Sequence, residues 1–77
     1  VSEFRHRVGA RIRERRVDAG LSQRELAQRV ARGMESGQVS RWERGESFPS
    51  YDHLRGLARA LRCSEEALLS GLQRNRR

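Results

Sequence analysis

"LSQRELAQRVARGMESGQVSRWERG", residues 21–45, decides how this chain folds. Ser22 suits a helix N-cap, and Glu25 three residues later completes a capping box. Leu21, just before the cap, can staple onto Leu26. Leu26 and Val30 recur at a spacing of four, which puts both on one helical face, and Ala27 between them permits close approach of another helix. Gly33 interrupts the pattern. A further helix starts near Glu35 or Ser36 and ends by Gly45. Val39 and Trp42 lie three apart and share its inner face. Gln38, Ser40, Arg41 and Arg44 then occupy the rest of the cylinder. Two short helices joined by a glycine-containing turn form a helix-turn-helix.

The flanking sequence adds helices on both sides. In residues 2–19, Phe4, Val8 and Ile12 recur every four positions, and Gly20 stands at a stop position. Arg5, Arg7, Arg11, Arg13 and Arg15 fall mostly on the other faces. Pro49 disfavours helix at Phe48, and Ser50 caps a fourth helix with Leu54, Leu57, Ala58 and Leu61 as its stripe. Ser64 caps a short fifth helix. Glu65 and Glu66 in its first turn suit the helix dipole, and Ala67, Leu68 and Leu72 form its apolar side. No strand pattern, repeat or linker is visible. The expectation is an all-α bundle of about five short helices, one domain over residues 1–72, followed by the basic tail of residues 73–77.

Composition narrows the function. The 77 residues are 35% hydrophobic and 35% charged, with a net charge of +7. Every basic residue is arginine, whose flat guanidinium forks onto phosphates and guanine edges. This balance favours a polyanionic partner, nucleic acid before membrane surface. No apolar run approaches the roughly 18 residues of a membrane span, and no signal peptide is apparent. A single cysteine excludes an internal disulfide framework and a multi-cysteine zinc site. Cys63 reads as a small buried hydrophobe, His53 and His6 as exposed residues. A Cys63–His53 nucleophile pair would lack a third partner. No catalytic residue, metal site or cofactor is expected.

The chain resembles the lambda-repressor-like family, the phage repressor and Cro type also called the xenobiotic response element family. "LSQRELAQRV", "VSRWERG", "FPS" and "LARAL" carry the resemblance, in an order and spacing that cover about residues 8–72. Gly9, Ile12, Arg16, Gly20, Leu26, Val39, Trp42, Glu43, Gly45 and Pro49 fall at matching positions. The resemblance implies five helices, with the third in the DNA major groove and the second across the backbone. It implies base contacts from Ser36, Gly37, Gln38, Ser40 and Arg41. It also implies phosphate contacts from Gln23, with Ser22, Arg24, Arg44 and Ser47 as further candidates. Arg16 and Glu43 match a structural ion pair of the family. One departure stands out: from Leu26 to Val39 the chain has two residues more than the usual spacing, near Ala31 and Arg32. Either the second helix is longer or the turn is wider.

The reading is therefore a sequence-specific double-stranded DNA-binding regulator of a bacterial or phage type. It is expected to act in the cytoplasm or nucleoid, as a homodimer on paired operator half-sites, without chemistry of its own. Leu68, Leu69 and Leu72 are candidates for the dimer surface. The rival readings are a DNA-binding antitoxin, a restriction–modification controller and, more remotely, a basic protein- or membrane-surface module. The last lacks an apolar face for lipid.

Overall fold

A computed structural model describes residues 3–69. It contains five helices among these residues: α1 (Glu3–Asp18), α2 (Gln23–Val30), α3 (Ser36–Glu43), α4 (Tyr51–Leu61) and α5 (Glu65–Leu69). The expected all-α architecture is present. Helix α3 packs on α1 and α2, α2 packs on α4, and α5 closes the bundle against α4 and α1. The basic tail and Leu72 lie outside the described residues.

The core follows the helical periodicities. Val8 and Ile12 of α1, Leu26, Ala27 and Val30 of α2, Val39 and Trp42 of α3, and Leu54, Leu57, Ala58 and Leu61 of α4 are all buried. Trp42 is 1% exposed and is among the largest wholly buried side chains. Its ring tilts against His53 with centroids 5.5 Å apart. His53 is therefore half-buried rather than exposed, because the first turn of α4 lies over the tryptophan. Leu68 is also wholly buried, so it belongs to this domain's core and not to a dimer surface; Leu69 packs partly against the same core.

Helices α1 and α3 cross closely at Gly9. A Cβ there would run into the Trp42 carbonyl oxygen and come within 2.8 Å of the Glu43 carbonyl oxygen. The helix ends are local affairs. Gly20, at φ +74°, closes α1: its N–H donates to the Val17 carbonyl at 3.0 Å, and Leu21 N–H donates to the Arg16 carbonyl at 3.1 Å. This is the paired C-terminal bonding of a Schellman motif. Gly45 closes α3 in the same way, through Gly45 N–H to Trp42 and Glu46 N–H to Arg41.

Candidate nucleic-acid interface

Helix α2 starts where its sequence says it should. The Ser22 hydroxyl accepts from Glu25 N–H at 3.0 Å, and the Glu25 carboxylate accepts from Ser22 N–H at 2.8 Å. The Ser22 bonds hold the Glu25 carboxyl below its usual range. Gln23 and Arg24 follow in the first turn, Arg24 exposed and Gln23 half-buried.

The Arg16–Glu43 pair forms. Arg16 Nε and Nη2 donate to the two Glu43 oxygens at 2.6 and 3.2 Å, while Arg16 Nη1 donates to the Leu21 carbonyl at 2.9 Å. The side chains are 12% and 3% exposed. Gln23 joins them: its Nε2 donates to Glu43 Oε1 at 3.0 Å. One carboxylate thus receives N–H bonds from the end of α1 and the start of α2 while sitting at the end of α3. No local sequence pattern signals the Gln23 bond. A carboxylate only accepts, so the amide is oriented with Nε2 inward. Nε2 carries two hydrogens, and one is not used by Glu43.

Between α2 and α3 the turn is wide. Helix α2 stops at Val30, and residues 31–35 intervene before α3. The two surplus residues have therefore widened the turn and not lengthened α2. Ala31 is extended, Gly33 takes φ +83°, and the turn is braced by Met34 N–H to the Ala31 carbonyl at 3.1 Å. Gln28 Nε2 also donates to the Met34 carbonyl at 3.2 Å. Glu35 is the N-cap residue of α3, but its side chain makes no capping bond. An open groove of about 390 Å³ runs here between the helices, lined by Arg24, Gln28, Gly33, Met34, Glu35, Ser36 and Gly37. The positive end of α3 and Arg24 border the same space.

On the outer face of α3, Ser36 and Arg41 are exposed and Gly37, Gln38 and Ser40 are half-buried. Arg41 Nη2 donates to Gln38 Oε1 at 3.3 Å. Beyond them, Arg44 donates from Nε and Nη2 to the Glu46 carboxylate at 2.9 and 3.1 Å, and from Nη1 to the Ser40 hydroxyl. The Arg44 bond, helped by the charges of Arg44 and Arg41, lowers the Glu46 pKa. As an acidic residue three positions past the buried glutamate, Glu46 carries no sequence signal of pairing with a candidate DNA contact.

The Ser47 hydroxyl is buried and has no hydrogen-bond partner among the described residues. It faces inward and is not available as a side-chain phosphate contact. Cys63 is half-buried against the core, and burial pushes its thiol pKa up, outweighing the nearby Arg15 and Arg11. It is no activated nucleophile. No group of three or more potential metal-ligating side chains occurs among the described residues. No helix among them is long and apolar enough to cross a membrane.

Comparison with known proteins fits this geometry. A family model described as a helix-turn-helix domain matches residues 7–70. The repressor protein C2 of Salmonella phage P22 is 39% identical over 64 residues, which are 83% of this chain and 29% of that protein. The HTH-type transcriptional regulator DicA of Escherichia coli K12 is 41% identical over 64 residues, 83% of this chain and 46% of the relative. The chain thus spans less than half the length of these curated relatives. A crystal structure of the P22 c2 repressor in complex with a synthetic operator superposes with a TM-score of 0.77 at 39% identity, covering 83% of this chain and 94% of that one. The restriction–modification controller C.AhdI from Aeromonas hydrophila does so with a TM-score of 0.76 at 34% identity, covering 83% and 94%. With its capped α2, its buried Arg16–Glu43 pair and its outward polar face on α3, the chain belongs to the lambda-repressor-like family of helix-turn-helix domains.

Proposed function

We propose that this chain is the DNA-binding module of a bacterial or phage transcriptional regulator, with α3 seated in the major groove of double-stranded DNA. One observation carries the reading: α3 buries Val39 and Trp42 while holding Gln38 and Arg41 outward, in a domain of net charge +7. The likeness to a repressor crystallised on an operator supports it. Arginines supply salt-dependent phosphate affinity, and side chains on α3 supply sequence choice. Gln23, Arg24 and Arg44 are the backbone contacts, with Ser22 at the start of α2. Gln38 and Arg41 are the base readers, flanked by Ser36, Gly37 and Ser40. The module carries out no reaction: it occupies an operator or recruits there, in the cytoplasm or nucleoid where bacterial DNA lies. It works as a homodimer on half-sites about 34 Å apart. The similarity to C.AhdI favours a restriction–modification controller as a second reading of the same DNA-binding chemistry.

Selection of bound sites from random duplex DNA, followed by competition against single-base variants at fixed salt, tests this. Gln23→Ala and Arg44→Ala should weaken binding to every duplex by similar factors, because backbone contacts carry no sequence information. Gln38→Ala or Arg41→Ala should cost about 1–3 kcal/mol on the selected site and relax choice at one or two positions. Failure to enrich any sequence, or uniform losses for all four variants, overturns the assignment of α3 as the reader.

A further inference from the structure

Glutamine in a recognition helix commonly reads adenine, because its amide offers one acceptor for the adenine N6 amino group and one donor for N7. That contact needs the amide oxygen turned to the base. In this chain it is turned to Arg41: Gln38 Oε1 accepts from Arg41 Nη2 at 3.3 Å, a bond that takes one of its two lone pairs. A guanidinium has donors only, so the amide atom facing it must be the oxygen, and the orientation is fixed by chemistry. Gly37 makes room for the arrangement. A Cβ built at Gly37 would meet Arg41 Nη1 at 3.7 Å, which places the guanidinium back over the first turn of α3, beside Gln38. Arg41 has not swung away along the helix; it lies across the residues that open it.

Resting on the reading of α3 as the base-contacting helix, we infer that Arg41 locks the Gln38 amide as a donor, so that the two side chains select base edges bearing only acceptors. Gln38 presents two Nε2 hydrogens, which make no bond to any described residue. Arg41 presents the guanidinium hydrogens not used on Gln38. The face of α3 is thus a row of donors. Guanine answers it with N7 and O6, and thymine with O4. Adenine offers N7 but sets its N6 amino group against the donors, and cytosine offers only an amino group, so each leaves a polar group unpaired in a desolvated groove. One helical turn separates the two residues, about 4.5 Å along the axis, so they address neighbouring base pairs. Gln38 alone would be a reader of adenine; Gln38 under Arg41 is a reader of guanine or thymine.

The test uses the 77-residue chain and its selected site. Gln38→Ala identifies the base pair whose discrimination depends on Gln38. Guanine or thymine is expected there for the unaltered protein. Where it is guanine, replacing N7 by carbon with 7-deazaguanine should weaken the unaltered protein roughly fivefold, the loss of one hydrogen bond, and leave Gln38→Ala unaffected. Where it is thymine, a change to cytosine, which swaps O4 for an amino group, should produce the corresponding selective loss. Arg41→Ala frees the amide oxygen, so adenine should become acceptable at the Gln38 position as well as discrimination being lost at the Arg41 position. Adenine or cytosine preferred by the unaltered protein at the Gln38 position overturns the inference. So does an Arg41→Ala variant that leaves the Gln38 preference untouched. Both outcomes preserve α3 as the reader, whereas uniform losses across the panel overturn the reader and the inference together.

Discussion

At the scale of single residues, Glu43 does the most. Its carboxylate takes two N–H bonds from Arg16 and one from Gln23 while only 3% exposed. Removing it strands a guanidinium in a nearly dry site. Glu43→Ala should lower stability by about 3 kcal/mol in chemical denaturation, mostly from the unpaired Arg16. An unchanged midpoint would show the charge to be solvated. Gly9 is the second critical position, since any Cβ meets two backbone carbonyls of α3 that cannot move independently of the helix. Gly9→Ala should cost about 3 kcal/mol through separation of α1 from α3, read as a lowered Tm. These residues differ in how far they were legible. Arg16 and Glu43 lie 27 positions apart, and only the family resemblance linked them. Trp42 could be placed inside from its spacing to Val39 alone. The family resemblance points Gln23 at phosphate, and the bond it makes to Glu43 depends on how three helices converge, which no local pattern encodes. The inward turn of the Ser47 hydroxyl belongs to the same class.

At the scale of elements, what was local was legible. The capping box of α2 spans four residues, so Ser22 and Glu25 declare it in the sequence and the structure forms it. The caps of α4 and α5 follow the same rule: Ser50 accepts from His53 N–H at 3.2 Å and Ser64 from Ala67 N–H at 3.0 Å. The choice between a longer α2 and a wider turn was not legible, because Ala31 and Arg32 suit a helix as well as a loop. Tertiary packing decides it: Val30 lies against Gly56 of α4, where a Cβ would come within 3.0 Å of the Val30 carbonyl, and Ala31 then turns extended. The end of α4 gave no warning either. Arg62 adopts φ 58° without being glycine, with Cys63 N–H donating to the Ala58 carbonyl at 2.9 Å. A side chain in this left-handed conformation costs about 1–2 kcal/mol, part of which glycine gives back through its looser unfolded state. Arg62→Gly should therefore stabilise the domain by about 0.5–1 kcal/mol, and a lower denaturation midpoint would mean that the arginine makes a compensating contact.

At the scale of the whole molecule, the charge is not distributed simply. Seventeen arginines against ten acids give the basic excess that pointed to nucleic acid, but Glu46 sits among the candidate DNA contacts and holds Arg44. That acid must release Arg44, or stay beside a phosphate, whenever the domain binds. Glu46→Gln should therefore tighten binding to all duplexes, because Arg44 no longer leaves a carboxylate to reach its phosphate. A change confined to one sequence would instead make Glu46 a reader. The same logic sets a pH trend. The Glu46 pKa is lowered by Arg44, so the carboxylate stays charged down through the ordinary carboxylate range, and binding should strengthen only below it as the acid protonates and lets Arg44 go. Net charge points toward the proposed partner, yet it cannot reveal this internal restraint, which depends on two side chains meeting beyond the end of α3. The buried Arg16–Glu43–Gln23 cluster has a wider consequence. It fixes the pose of α3 from behind, together with Val39 and Trp42, so the residues at Ser36, Gly37, Gln38 and Arg41 are largely relieved of any duty to the fold. If α3 is the reader proposed above, a lineage carrying this scaffold can exchange those four residues and acquire a new genomic address while its thermal stability stays put. The ion pair that never meets a base is thus what makes the domain evolvable.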